Sequence, residues 1–310
     1  MPRQRIHIPA DQVERVDRLL AESLRGFSRR RLQRLLQEGS IRIDGRRARK
    51  GEMLRGEQTI EVEIADSASV SLAPEAEPSV PILFEDESCI AVDKPARRPG
   101  HALRAGEHGT IANFLTARFP ECAIAGDTPL EAGLVHRLDT DTSGVLLAAR
   151  TRAAWLTLRA QFRQRRVGKV YLAVVGGTLA EGGEIARAIE PDSRNRRRMR
   201  VLEEGESSDR ARAAITRYRP RSRGAGGTLL DVSISTGVMH QIRVHLAAIG
   251  HPVLGDTIYG GDAIPEARHL LHASRLEFDH PMSGERIVVE SALPADFESA
   301  LRRLGFAPTP

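Results

Sequence analysis

Apolar residues recur at Val13, Val16, Leu19, Leu20 and Leu24, the spacing of one helical face. They recur again at Leu32, Leu35 and Leu36, between Ser28 as N-cap and a stop at Gly39. Ile41 and Ile43 then alternate into Asp44-Gly45, a hairpin signal, and Ile60, Val62 and Ile64 alternate as a strand. The pattern predicts helix, helix, hairpin, strand, a small α+β unit. Farther along, strand-like segments fall at 88–92, 145–149, 170–175, 211–219 and 228–235, with a long helix over 152–166 and another over 241–249 that Gly250 and Pro252 stop. Several of these strands follow one another with no helix between them, which predicts a mixed sheet rather than a parallel one.

Charge divides the chain where the pattern does. From Ser23 to Gly56 there are 11 basic residues against 3 acidic ones, whereas Glu57 to Ile90 holds nine acids and no base. With Pro74, Pro78 and Pro81 in a stretch poor in large apolar residues, the reversal predicts a first domain over 1–66, a linker over 67–80 and a second domain over 81–310. Only Lys50, Lys94 and Lys169 are lysines among 46 basic residues, so the balance is almost wholly arginine, the side chain that grips phosphate bidentately and stacks on bases. Arg29, Arg30 and Arg31 crowd the first turn of the predicted second helix, where the dipole disfavours cations and favours an anion. Nucleic acid is the partner this implies, and the basic loop 194–200 reads as a further contact to its backbone. No run of 18 apolar residues and no signal-peptide pattern is present, so no membrane is expected and the cytoplasm is the default location. Cys89 and Cys122 lack the spacing of a zinc site and read as reduced thiols, and His240, His245 and His251 read as packed or hydrogen-bonded, so no metal is expected.

The segment from His136 to Gly144 carries the chemistry. It sets Asp139 beside Arg137 between the apolar runs Leu134-Val135 and Val145-Leu146-Leu147, and a carboxylate there is costly unless paired or used. A calcium loop is excluded because its twelfth position, a glutamate in such loops, is Arg150. An aspartate signature of haloacid-dehalogenase phosphatases fits poorly, since its fifth position is Ser143 and His136 and Arg137 interrupt the strand expected before it. A plain turn whose Asp and Thr side chains satisfy local backbone groups is the remaining alternative.

Further segments give this one company. Val92-Asp93-Lys94-Pro95, Gly168-Lys169-Val170-Tyr171-Leu172-Ala173, Thr236 through Leu246 with His240-Gln241-Ile242-Arg243, Gly250 through Asp256 with Tyr259, and Leu271-His272-Ala273 ahead of His280-Pro281 follow in order. Together they resemble the RluA family of pseudouridine synthases across nearly all of 82–300. The stretch 13–65 resembles the S-four type RNA-binding domain through Arg15 to Leu20, Ser28 to Leu32, Gly39 to Gly45 and Gly56-Glu57.

The resemblance implies a largely antiparallel central sheet with flanking helices, the pseudouridine synthase fold, behind a small α+β RNA-binding domain. It implies an isomerase that breaks the C1′–N1 bond of a uridine in RNA and rejoins the uracil through C5, with no external cofactor. By position in the motifs, Asp139 would be the essential carboxylate, acting as nucleophile or as the base that yields a glycal. Arg243 would pair with it, and Tyr171 would pack against the uracil. Arg137 would enter the space left by a flipped nucleotide, with His136 beside it and Arg29, Arg30 and Arg31 holding RNA elsewhere. Ribosomal RNA of the large subunit is the expected partner, transfer RNA the second, and the chain is expected to be a monomer. An RNA-binding protein without catalysis and a phosphatase are the alternative functions. The chain departs from the family where Val238 and Met239 stand in place of the usual Arg-Thr, and where Arg97 stands in place of a glycine.

Overall fold

The computed structural model describes residues 3–7, 13–24, 29–63, 72–76, 79–104, 106–195, 197–265 and 268–307. Contacts divide the chain into a smaller unit within Met1–Ser71, joined by Asp127–Pro129, and a larger one of Leu72–Gly126 and Leu130–Pro310.

In the smaller unit the elements are β1 (Arg3–His7), β2 (Glu14–Arg15), α1 (Val16–Ser23), α2 (Arg29–Glu38), β3 (Ile41–Ile43), β4 (Arg46–Arg47), β5 (Met53–Leu54) and β6 (Thr59–Glu63). The sheet runs β1-β6-β3-β4, antiparallel throughout. Val16, Leu19, Leu20 and Leu24 meet Leu32, Leu35 and Leu36 over Ile41, Ile43, Ile60 and Val62, all buried in one cluster. At ~1.5–3 kcal/mol for each aliphatic side chain removed from water, this cluster is what holds two short helices on a small sheet. Val13 is not part of it: it is 65% exposed, because α1 begins only at Val16. Ser28 and Ile64, expected at element ends, lie outside the described residues.

The larger unit comprises β7 (Ile82–Glu85), β8 (Cys89–Lys94), α3 (Ile111–Arg118), α4 (Cys122–Ala125), β9 (Ser143–Ala149), α5 (Arg152–Arg163), β10 (Gly168–Val175), β11 (Gly183–Ile185), β12 (Ile189–Pro191), β13 (Met199–Val201), β14 (Thr216–Gly224), β15 (Gly227–Ile234), α6 (Gln241–Ala248), β16 (Leu271–Asp279), β17 (Arg286–Glu290) and α7 (Ala295–Arg303). Its sheet is ordered β11-β14-β15-β10-β16-β9-β8-β7, with β17 also paired to β16. Every pairing in it is antiparallel except β9 with β16, which join only at Ser143 with His272 and Gly144 with Ala273. Beyond those two positions β16 continues against β17. The sheet is thus mixed and largely antiparallel with flanking helices.

β9 is buried along its whole length. Leu146 and Ala148 join the cluster that contains Tyr171, while Val145, Leu147 and Ala149 join the one that contains Trp155 and Leu158 of α5. The strand expected from Ala211 begins at Thr216, and the helix expected to reach Arg166 ends at Arg163. Within the stretch read as a linker, Leu72 and Val80 are buried in the larger unit's core. The Glu75 carboxylate accepts from Gly109 N at 2.6 Å. Among the described residues no helix is long and apolar enough to cross a membrane.

Candidate active site

The loop ahead of β9 is fastened at both ends. Ala149 N donates to Gly133 O at 2.9 Å and Val135 N to Leu147 O at 3.2 Å, so the incoming chain lies along β9. A turn closed by Thr142 N on Asp139 O at 3.1 Å then delivers it into Ser143. Gly144 follows with φ +112°, and a Cβ there would stand 2.1 Å from Ala273 O. Only glycine lets β9 approach β16 this closely, and the approach fixes where the turn before it sits.

Asp139 lies in that turn with 16% of its side chain accessible. Its Oδ2 accepts from Arg243 Nη1 at 2.8 Å. Arg243 projects from α6 and is itself held by Asp256, whose two oxygens accept from Nε at 2.6 Å and Nη2 at 2.8 Å. A guanidinium gripped on one edge has its remaining Nη aimed in one direction, here at Asp139. Burial raises the Asp139 carboxyl, but His240, once protonated at the acid pH where this carboxyl titrates, and Arg243 outweigh burial and hold it below the usual carboxylate range. Burial likewise opposes the charge on Arg243, and Asp256 and Asp139 more than restore it.

Tyr171, on β10, is buried in the cluster with Leu138, Ile242 and Ala273. Burial, then the nearby Asp139 carboxylate, push its hydroxyl above the ordinary phenol value. Asp139, Tyr171 and Arg243 therefore come together from a loop, a strand and a helix. Arg137 is exposed, and its charge reaches both His101 and His240. His136 is engaged elsewhere: its ring stacks on Phe162 of α5 at 4.9 Å, and its Nε2 accepts from Leu147 N at 3.0 Å. Burial drives this ring down to about 3, so it is neutral and serves to pin the loop to β9. Arg29, Arg30 and Arg31 form the first turn of α2, but their side chains lie outside the described residues.

Several residues that sequence reasoning left without a role complete the site. Lys94, fully buried at the end of β8, donates to Pro95 O, Arg98 O and Thr140 O, each at 2.8 Å. These bonds use all three ammonium protons and tie the Asp139 turn to β8, even though burial pulls the group down to about 7. Arg268, also fully buried, grips Asp296 at the start of α7 through Nε at 2.7 Å and Nη2 at 2.8 Å, and donates to Asp141 O at 3.3 Å. Thr142 Oγ1 bonds His269 Nε2 at 2.8 Å, and Ser143 Oγ bonds His272 Nδ1 at 2.9 Å. Only Lys94, just past the apolar run from Cys89 to Val92, carried a signal in the sequence; Thr142, Ser143, Arg268 and His269 lie in polar stretches and carried none.

The basic loop lies in the hairpin of β12 and β13. Arg198 sits 5.5 Å over the ring of Tyr259, and the Arg243 guanidinium lies 5.3 Å from the same ring. Val238 and Met239 pack in the cluster that contains Tyr259, Ile189 and Met199. Arg97 has φ +63°, the left-handed conformation that explains the glycine usual at this position. His240, His245 and His251 bond respectively to Tyr259, to Thr216 with Arg187 O, and to Gly176 O. Asp86, Cys89 and His280 bring ligand atoms within 4.8 Å of one another. His280 Nδ1 accepts from Ser283 N at 3.0 Å, however, so its Nε2 carries the proton given to Asp86 at 2.6 Å, and the ring offers no lone pair to a metal.

A partly accessible carboxylate fixed by a buried arginine beside a mixed sheet, in a chain that opens with a basic α+β unit, fits an RNA-modifying class. The profile for RNA pseudouridylate synthase matches residues 88–248 and that for the S4 domain matches residues 14–60. The chain belongs to the RNA pseudouridylate synthase family, isomerases that convert uridine to pseudouridine within RNA. It is similar to a ribosomal large subunit pseudouridine synthase D of Xanthomonas campestris, 38% identical over 93% of this chain and 89% of that one. Another protein of that name, from Nitrosomonas europaea, is 38% identical over 94% and 84%. Among solved structures, human RNA pseudouridylate synthase domain containing 1 superimposes with a TM-score of 0.56 at 29% identity, over 72% of this chain and 87% of that one. This family membership overturns the phosphatase alternative.

Proposed function

We propose that the chain isomerises specific uridines of large-subunit ribosomal RNA, with Asp139 as the reacting carboxylate. Transfer RNA is the second candidate substrate, and the enzyme works as a monomer in the cytoplasm. The observation that carries the reading is the chain Asp256, Arg243, Asp139, in which a buried, fixed guanidinium keeps one carboxylate ionised while leaving it partly accessible. The relatives' names point to the ribosomal large subunit.

In this reading the flipped uridine places its ribose against Asp139, which attacks as nucleophile or removes a sugar proton. The oxocarbenium character that develops at C1′ favours an anion nearby by either route. Tyr171 supplies the apolar wall on which the uracil packs. Arg137, exposed at the mouth, enters the gap in the RNA stack. The smaller unit adds phosphate contacts through the first turn of α2, and its boundaries near residue 66 and the linker after it are part of the same proposal.

Asp139→Asn is nearly isosteric and cannot ionise. It should abolish conversion while RNA binding survives, and retained turnover in that variant refutes the assignment. Mapping pseudouridines in total RNA from cells with and without the gene identifies the substrate. A difference confined to transfer RNA overturns the ribosomal half of the proposal.

A further inference from the structure

The ring of His240 has a defined tautomer. Tyr259 Oη accepts from Met199 N at 2.8 Å, and among the described residues its own hydrogen meets no acceptor except His240 Nδ1, 2.9 Å away, which favours Tyr259 as the donor of that pair. A ring whose Nδ1 accepts carries its proton on Nε2. That Nε2 stands 3.9 Å from Asp139 Oδ2, too far for a hydrogen bond, on a side chain 14% accessible beside a carboxylate 16% accessible. The backbone also holds the ring in place: His240 caps α6 in the left-handed conformation, φ +57°, a strained state that collects at functional sites. Burial lowers the ring's pKa from its ordinary value, which keeps it neutral at pH 7. A neutral, partly accessible N–H donor with no hydrogen-bond acceptor among the described residues therefore stands next to Asp139.

We infer that His240 Nε2–H donates to an exocyclic oxygen of the target uracil and is a further catalytic residue of the isomerisation. When the C1′–N1 bond breaks, its electron pair leaves with the base, and the uracil anion spreads that charge onto O2 and O4. A donor fixed beside the sugar stabilises the detached base and guides its turn until C5 faces C1′. His240 gives up no proton. The C5–C1′ bond forms from the base's electrons, C5 then loses its hydrogen and N1 gains one, so the product is an isomer. A neutral donor suits this task because an imidazolium would pair with Asp139 and weaken it.

The inference rests on Asp139 being the group that faces the ribose. The test uses the full-length protein and a short RNA spanning the uridine that mapping identifies. Single-turnover conversion is followed by release of tritium from C5, with RNA affinity measured in parallel. His240→Ala should slow conversion ~10–100-fold, the worth of one hydrogen bond to a charged group, with affinity within about twofold of wild type. His240→Gln, whose amide reaches the Nε2 position, should recover most of that loss. The deciding arm replaces O2 or O4 of the target uracil by sulfur, a poorer acceptor. Wild type should slow with one of the two thio-RNAs, and His240→Ala should slow no further with it. A wild-type rate for His240→Ala, or a sulfur effect of equal size in both proteins, overturns the proposal. Asp139→Asn in the same assay separates the two readings: its retained turnover sinks the role of Asp139, whereas its inactivity beside an undiminished His240→Ala sinks only that of His240.

Discussion

Asp256 is buried from solvent, yet geometry makes it decisive. Asp256→Asn keeps the shape of the side chain and removes its charge. In the native protein the two Asp256 oxygens accept from Arg243 Nε and Nη2 at 2.6 and 2.8 Å, all within the buried interior. An asparagine can accept only one of these and must turn an N–H toward the other. One charge-assisted bond is lost, worth ~1.5–3 kcal/mol, and two donors are forced together. With half its countercharge gone, the buried cation leaves the fold destabilised by ~3–5 kcal/mol, within what a domain of ordinary stability tolerates. Charge and geometry then act on activity in opposite directions. Charge alone says that Arg243 pairs more strongly with Asp139 and that nothing is lost. Geometry says that Nη1, aimed at Asp139 only because the other edge is clamped, now wanders, and a misplacement of about an ångström costs ~100-fold. We expect kcat to fall ~100-fold with KM for RNA unchanged, well below the melting temperature of the variant. A kcat within threefold of wild type in a folded Asp256→Asn enzyme would show that the clamp is dispensable.

Gly144→Ala should be severely impaired in both stability and activity, because its Cβ meets Ala273 O at 2.1 Å and the φ of +112° is unfavourable for alanine; wild-type behaviour in melting and conversion would show that β9 and β16 can part freely. The lowered Asp139 pKa has a defined sign: its contribution to stability is present above the unfolded value of ~3.9 and is lost as pH falls through the folded one. Protonation of Asp139 should accordingly not limit the conversion rate until well below pH 7, and in Arg243→Met, where burial acts with less opposition, the acid limb of the residual rate should move upward; an unmoved limb contradicts the pairing. Removal of residues 1–66 should weaken RNA affinity and flatten its dependence on salt, as a binding titration at several ionic strengths would report, and unchanged binding would make the arginine-rich start of α2 irrelevant.

Elements with one wet face were legible in the sequence. α1 and α2 show their apolar stripe, and β3 alternates buried, exposed, buried. Elements enclosed on all sides were legible only where an unbroken apolar run or a stop signal marked them, as for β9 and α6. Ile111 to Thr116 of α3 are buried at every position, so no helical period survives. β16 opens with His272 bonded to Ser143, and Arg268 and His269 stand buried just before it, so its polar residues read as loop. The same inversion limited the site. Asp139, Tyr171 and Arg243 stand out by motif, but Lys94, Asp256 and Arg268 look like surface charges until their partners are seen, and those partners lie far away in sequence. His136 shows the opposite case: it lies close to Asp139 along the chain, while the loop turns its ring onto Phe162.

The two-residue seam between β9 and β16 has a consequence for synthesis. Its halves are Ser143-Gly144 and His272-Ala273, and Arg268, which braces the same turn, needs Asp296. A growing polypeptide therefore completes its RNA-gripping front module long before the carboxylate is seated. On the proposed function, nascent molecules would hold RNA yet remain chemically silent, and a truncation that removes only the final helix should yield a binder with no catalytic power.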